Sequence, residues 1–142
     1  MKYFDTTYLV RLYSFEPGWQ SVRALAASNE IGCSVLGKAE VIGAFHRKFR
    51  EGQITKRDLA ILIDEFDRDA KSGGVSWFPL SEKVLERLTR QYQVVPSDIA
   101  LRTSDAIHLA TAAENGLAEI YTNDRRLLLA AEHFDLIGSN LI

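Results

Sequence analysis

The chain has 142 residues, of which 46% are hydrophobic and 25% charged, with a formal net charge of −2 and a single cysteine. These values suit one soluble globular domain over residues 1–142 and exclude an internal disulfide and a cysteine-rich zinc site. They also exclude the strongly basic footprint of a protein that holds nucleic acid by charge alone, but not an enzyme that meets phosphates through bound metal ions.

In chain order, "KYFD" (residues 2–5) reads as a short strand, followed by a helix from about Thr7 to Tyr13. Pro17 suits the first turn of a second helix, with Trp19, Val22 and Ala26 on one face. "EIGCSVL" reads as a second, buried strand, and Cys33 within it as a small core residue. Ile42, Phe45 and Phe49 line one face of a helix that starts near Gly37 and ends at Gly52. Thr55 with Asp58 three residues on resembles a capping box, opening a helix striped by Leu59, Leu62, Ile63 and Phe66 and stopped by Gly73 and Gly74. "VSWFPL" reads as a third strand, and Ser81 as the cap of a helix carrying Val84, Leu85 and Leu88. "LRTSDAIHLATA" gives a helix over about 103–115 with Ala106, Leu109, Ala110 and Ala113 on its apolar face, closed by Gly116. "EIYT" is a fourth strand, "NDRRLLLAA" a short helix, and "FDLIG" a fifth strand.

Strands that alternate with helices, without hairpin signals, predict a three-layer α/β/α sandwich around a parallel sheet of about five strands. No apolar run approaches the ~20 residues of a membrane span. Asp5 and Arg11 interrupt the apolar N-terminus, so no signal peptide and a cytoplasmic location are expected.

In such sheets, sites lie beyond the carboxyl ends of the strands. Asp5 ends the first strand, Glu40 and Asp105 lie in first helical turns, and Asp124 follows the fourth strand. Taken singly, each acid reads as a helix cap or a partner of the helix dipole. Yet Thr6 and Thr7 adjoin Asp5, Thr103 and Ser104 precede Asp105, and Asn123 adjoins Asp124. Neutral cappers are therefore expected at three of the four places. Several carboxylates brought together repel, and a divalent cation resolves the repulsion. All-oxygen ligation without paired histidines or cysteines points to Mg²⁺ or Mn²⁺, and such an ion suits phosphodiester hydrolysis.

Four segments, in order, resemble the blocks of the PIN domain family: "FDTTYLVRLY", "SVLGKAEVIGAFHRK", "LRTSDAIHLATA" and "IYTNDRRLLLAA". The size and the last block resemble VapC-type toxins of VapBC toxin–antitoxin pairs. The resemblance implies a PIN-like fold and a Mg²⁺-dependent endoribonuclease, homodimeric and held inactive by a cognate antitoxin. It implies Asp5 and Asp105 as main metal ligands, with Glu40 and Asp124 completing the cluster directly or through water. Thr6 would orient a metal-bound water or a ligand, and Asn123 would offer a hydrogen bond to an RNA substrate.

Lys38 stands two residues before Glu40, where the family pattern suggests an uncharged residue; it points outward, reaches a phosphate or pairs with an acid. Arg125 adjoins Asp124 and Arg102 precedes the acid block, so both are candidates for a substrate phosphate, with Arg102 alternatively bracing a carboxylate. Arg47, Lys48, Arg50, Lys56 and Arg57 form a basic cluster that reads first as a solvated helix end and second as an RNA guide. His108 reads as a histidine hydrogen-bonded near the core rather than a proton shuttle, because metals already activate water. The apolar stripes read first as core, with an open groove for an antitoxin helix as the alternative. Other readings are a PIN nuclease of RNA processing without a toxin role, a non-catalytic PIN module, and a phosphatase or receiver. The last lacks the second acid of Asp-x-Asp after the first strand, and no lysine follows Lys83.

Overall fold

A computed structural model describes all residues, 1–142. Five parallel strands form one sheet: β1 (Lys2–Phe4), β2 (Ile31–Ser34), β3 (Ser76–Phe78), β4 (Glu119–Tyr121) and β5 (Ile137–Ser139), in the order β3-β2-β1-β4-β5. Tyr3 lies opposite both Gly32 and Ile120 in the register. Tyr3 and Phe4, which point to opposite faces, are both fully buried. That is the signature of a central strand in a sheet covered on both sides.

Helices α1 (Thr6–Tyr13) and α2 (Trp19–Ala27) connect β1 to β2, and α3 (Leu36–Arg50) and α4 (Lys56–Ser72) connect β2 to β3. These four pack on one another, α1 with α2 and α3, and α3 with α4. Helices α5 (Glu82–Val94) and α6 (Thr103–Glu114) lead from β3 across the sheet to β4, and α7 (Arg125–Ala130) with a 3₁₀ turn (Ala131–Phe134) leads to β5. Helix α6 packs against α5, α7 and strand β2. Right-handed crossovers that run first one way along the sheet and then the other place the two helix sets on opposite faces. The three-layer α/β/α sandwich is therefore present. The reversal falls between β1 and β4, which makes their carboxyl ends the switch point where such sheets bind ligands.

The caps of α4 and α5 fall where the sequence predicts them. Thr55 and Asp58 form a reciprocal capping box, and Ser81 accepts from the Val84 N–H. Gly73 ends α4 at φ 87°, a left-handed conformation that costs a residue without a Cβ nothing.

Three expectations need correction. On α3 the buried face runs through Gly37, Val41 and Phe45, and Ile42 is exposed. The Cβ of residue 37 would lie 2.5 Å from the Cys33 sulfur, so Gly37 lets the start of α3 lie close against β2 and puts position 37 on the buried face. Helix α6 has no single apolar stripe: Ala106, Leu109 and Ala110 are fully buried as predicted, but so are Ala112 and Thr111, while Asp105 and His108 are nearly so. Wedged between α5, α7 and the sheet, it is buried around most of its circumference, where small alanines allow close approach. The fifth strand starts only at Ile137, because Phe134 ends the 3₁₀ turn and Asp135 adopts φ 61°.

Candidate active site

Strand β1 delivers Asp5 to the switch point, where its carboxylate is 3% exposed. Oδ1 accepts from the Tyr8 N–H at 3.1 Å and the Thr7 hydroxyl at 2.7 Å, and Oδ2 accepts from the Thr122 hydroxyl at 2.6 Å. Asp5 is thus itself the N-cap of α1, which corrects the expectation of a neutral capper at Thr6 or Thr7. Burial pushes its pKa above the ordinary carboxylate value, and the hydrogen bonds from Thr122, Thr7 and Tyr8 and the charge of His108 offset this only in part.

Helix α3 supplies Glu40. Its Oε2 accepts from the Thr6 hydroxyl and lies 2.7 Å from Nε2 of His108 on α6. Behind the imidazole, Nδ1 meets the Tyr3 hydroxyl at 2.8 Å, and the Tyr3 oxygen accepts from the Ser34 N–H at 2.9 Å. Burial resists charge on both Glu40 and His108, yet each favours the other's charged form. The Glu40 carboxyl is held below its usual range by His108 and Thr6, and the imidazole is held above its own by the Cys33 sulfur and Glu40. The expectation of a histidine hydrogen-bonded near the core fits this burial, and its partner is one of the four acids.

Asp105 and Asp124 are joined by Arg102. The guanidinium grips Asp105 through Nε at 2.9 Å and Nη2 at 3.2 Å, and the same Nη2 reaches Asp124 Oδ2 at 2.6 Å. Neither Thr103 nor Ser104 caps α6: the N-cap position is Arg102 itself, with no side-chain cap, and Asp105 sits in the first turn. At α7 the cap is Asp124, which accepts from the Arg126 N–H at 2.8 Å, and not Asn123. All three expected neutral cappers are therefore replaced, two of them by the acids themselves. An aspartate satisfies the helix's free N–H groups as well as a threonine does, so capping and a second role are compatible.

All four acids line one cavity of about 380 Å³ at the carboxyl end of the sheet, together with Thr6, Thr7, Gly43, Arg47, Arg102 and His108. Helical spacing accounts for the α3 wall, because Glu40, Gly43, Ala44 and Arg47 fall at i, i+3, i+4 and i+7. Sequence reading could have found Arg47 by that spacing; it placed Arg47 in a cluster without singling it out. Thr122, which holds Asp5 from the end of β4, was missed altogether. It precedes Asn123 in an unremarkable strand, and only the β1–β4 pairing brings it near.

The other candidates lie apart from the cavity lining. Lys38 points outward, with Nζ 5.1 Å above the Trp77 ring. Arg125 is exposed and absent from the wall. Asn123 borders the adjoining cavity, which shares Thr6, Thr7, Ala44 and Arg47 with the first, and its N–H donates to the Thr7 hydroxyl.

The donor chemistry of the wall fits a hard divalent cation: carboxylate and hydroxyl oxygens, one buried histidine already engaged at both nitrogens, and no thiolate. A positive group already bridges two of the acids, in the form of Arg102. No three Asp, Glu, His or Cys side chains are grouped as metal ligands. The wall therefore fits the ion in chemistry, while its carboxylates in this arrangement are not drawn together as a ligand set.

A sequence model of the PIN domain matches residues 2–132. No curated protein matches the chain. Among solved structures, FitAcB from Neisseria gonorrhoeae is similar at a TM-score of 0.76 and 16% identity, covering 99% of this chain and 97% of that one. VapC20 from Mycobacterium tuberculosis, described as a Sarcin-Ricin loop cleaving toxin, is similar at 0.69 and 16% identity, covering 92% and 95%. VapBC2 from Rickettsia felis, bound to a DNA fragment from its promoter, is similar at 0.66 and 16% identity, covering 99% and 98%. These likenesses establish a shared fold.

Proposed function

Because the chain belongs to the PIN domain family, we propose that it is a divalent-metal-dependent endoribonuclease and the toxin half of a type II toxin–antitoxin pair. The observation that carries this reading is the convergence of Asp5, Glu40, Asp105 and Asp124, from four separate segments, on one cavity at the sheet's switch point.

In this reading Asp5 and Asp105 would be the main ligands of a Mg²⁺ or Mn²⁺ ion, and Glu40 and Asp124 would complete the set directly or through water. Bound there, the ion would supply a water of lowered pKa and positive charge against a phosphoryl oxygen. The protein's own contributions are distinct. Thr7, Tyr8 and Thr122 fix both oxygens of Asp5 before any ligand arrives. Thr6 serves the site by donating to Glu40. Arg102 offsets the charge of Asp105 and Asp124. Arg47 stands at the wall shared by the two adjoining cavities, suitably placed to meet an RNA phosphate. Asn123, on the adjoining cavity, and exposed Arg125 would meet substrate further out.

The antitoxin partner rests on two supports. One similar solved structure, from Klebsiella pneumoniae, is described as a toxin–antitoxin complex. On the α1–α4 side, a groove of about 560 Å³ is lined by Tyr13, Phe15, Ile61 and Leu62, with Phe15 76% exposed. An amphipathic helix would cover that surface. A homodimer belongs to the same reading. No helix is long and apolar enough to cross a membrane.

The test is RNA cleavage with Mg²⁺ or Mn²⁺ against chelator, using wild-type protein, Asp5→Asn and Asp105→Asn. Undiminished cleavage by both variants would sink the reading. The Arg102 bridge favours one alternative, a PIN module that binds a partner and no metal. Absence of Mn²⁺ binding in a calorimetric titration would select it.

A further inference from the structure

Two elements, β1 and α3, place a side chain on one imidazole. His108 is nearly fully buried, one helical turn beyond Asp105 and on the same side of α6. Strand β1 sends Tyr3 to the same face as Asp5, two residues apart, and its ring meets the His108 ring edge-on at 5.9 Å. The end of β2 contributes the Ser34 N–H, donated to the Tyr3 oxygen.

Proton inventory gives this chain a direction. The Glu40 carboxylate only accepts, so the hydrogen between it and His108 sits on Nε2. That holds whether the ring carries one proton or two. When it carries one, Nδ1 accepts from the Tyr3 O–H, whose oxygen still accepts from Ser34. Every group in the row is then satisfied, and the row ends on Glu40 Oε2. The Thr6 hydroxyl donates to that same oxygen. Both protein donors therefore engage Oε2 and none engages Oε1, while the Glu40 side chain remains 28% exposed on the cavity wall.

We propose that His108, backed by Tyr3, is a positioning residue: it pins Oε2 of Glu40 to the protein interior so that Oε1 is presented to the cavity. This rests on the reading of Glu40 as a member of the metal-holding set. With both ring nitrogens engaged by Tyr3 and Glu40, His108 acts through Glu40, as a partner that orients a ligating carboxylate. The Nε2–H of the ring does what a glutamine amide at the same position could also do, which provides a conservative rescue.

The experiment is calorimetric titration of Mn²⁺ into wild type, His108→Ala, His108→Gln, Glu40→Ala and the double variant His108→Ala/Glu40→Ala, with Asp5→Asn as a reference. Thermal unfolding in chelator confirms that each variant is folded. The expected result is binding by wild type, an affinity loss of about 10- to 100-fold in His108→Ala, substantial recovery in His108→Gln, and no further loss when His108→Ala is added to Glu40→Ala. Wild-type affinity in His108→Ala would overturn the proposal. So would a loss of the same size in the Glu40→Ala background, because His108 would then be acting by another route. Should His108→Ala fail to fold, the comparison of His108→Gln with wild type and Glu40→Ala decides: affinity at the Glu40→Ala level overturns the proposal. If wild type and Asp5→Asn bind Mn²⁺ equally weakly, the metal reading itself fails and takes the proposal with it, an outcome distinct from the others.

Discussion

Two pairs of acids share the cavity and are held by different means. Asp5 and Glu40 are fixed by hydroxyls, a backbone N–H and an imidazole, all drawn from packed elements. Asp105 and Asp124 are bridged by Arg102, whose side chain is 51% exposed. The hydrogen-bond donors to Asp5 are neutral, and burial raises its pKa. The second pair has a positive charge built in, on a long side chain. The first pair is thus preorganised by packed donors, while the second is spared repulsion by a cation. In the proposed reading, this division serves a site that exists both with and without a metal.

The largest effects expected come from one acid of each pair. Asp5→Asn should lower RNA cleavage by more than about a hundredfold, and so should Asp105→Asn, as read from initial rates in Mg²⁺. The same Asp5→Asn variant should unfold in chelator at no lower temperature than wild type. An asparagine caps α1 as well as an aspartate. The raised pKa of Asp5 also means that its charge costs stability once the pH exceeds that value. A clear drop in unfolding temperature would show that the buried carboxylate is structural.

At Arg102 the sign reverses. Arg102→Ala should tighten Mn²⁺ binding by up to about fivefold, because a half-exposed ion pair that the metal must break is worth up to ~1 kcal/mol. Weaker binding would show that Arg102 orients the ligands instead of competing for them.

Titration sharpens the contrast further. Glu40 is held below its unfolded pKa of 4.5, so its contribution is present above 4.5 and is lost as pH falls through the lower folded value. His108 is held above its unfolded 6.5, so its contribution is present below 6.5 and is lost as pH rises through the raised folded value. Metal-free wild type should therefore exceed His108→Gln in stability most between about pH 4.5 and 6.5, with the margin shrinking on both sides. A pH-independent margin in thermal unfolding would contradict the pairing.

The smallest effect belongs to Arg47. Arg47→Ala should raise the KM for RNA about 3- to 10-fold and lower the salt dependence of binding by about one phosphate contact, with Mn²⁺ affinity unchanged.

Much of this division was legible in the residue pattern, and the exceptions have physical causes. Alternation of strand and helix, the capping box at Thr55 and the glycine stop at Gly73 are local signals, and they fell where local chemistry put them. The four acids were legible because each ends a strand or opens a helix, and strand ends in a parallel sheet share one rim. Their immediate partners were not. Thr122 reaches Asp5 across 117 positions, Tyr3 reaches His108 across 105, and His108 reaches Glu40 across 68. Those pairings depend on strand order, which periodicity does not encode. Capping was misassigned for a related reason: propensity ranks Asp, Asn, Ser and Thr almost equally, so the choice among neighbours is settled by what lies across the site. Arg102 shows the same limit, since its second partner, Asp124, is reached only through the β1–β4 switch point.

The central claim is that this cavity holds a divalent ion and hydrolyses RNA with it. Purified protein incubated with total RNA in Mg²⁺ or Mn²⁺, alongside chelator and the Asp105→Asn variant, tests that claim most directly when cut ends are mapped. The account predicts discrete cuts that require both the metal and Asp105. Cuts that persist in chelator or in Asp105→Asn, or RNA left intact by wild type in metal, would contradict it.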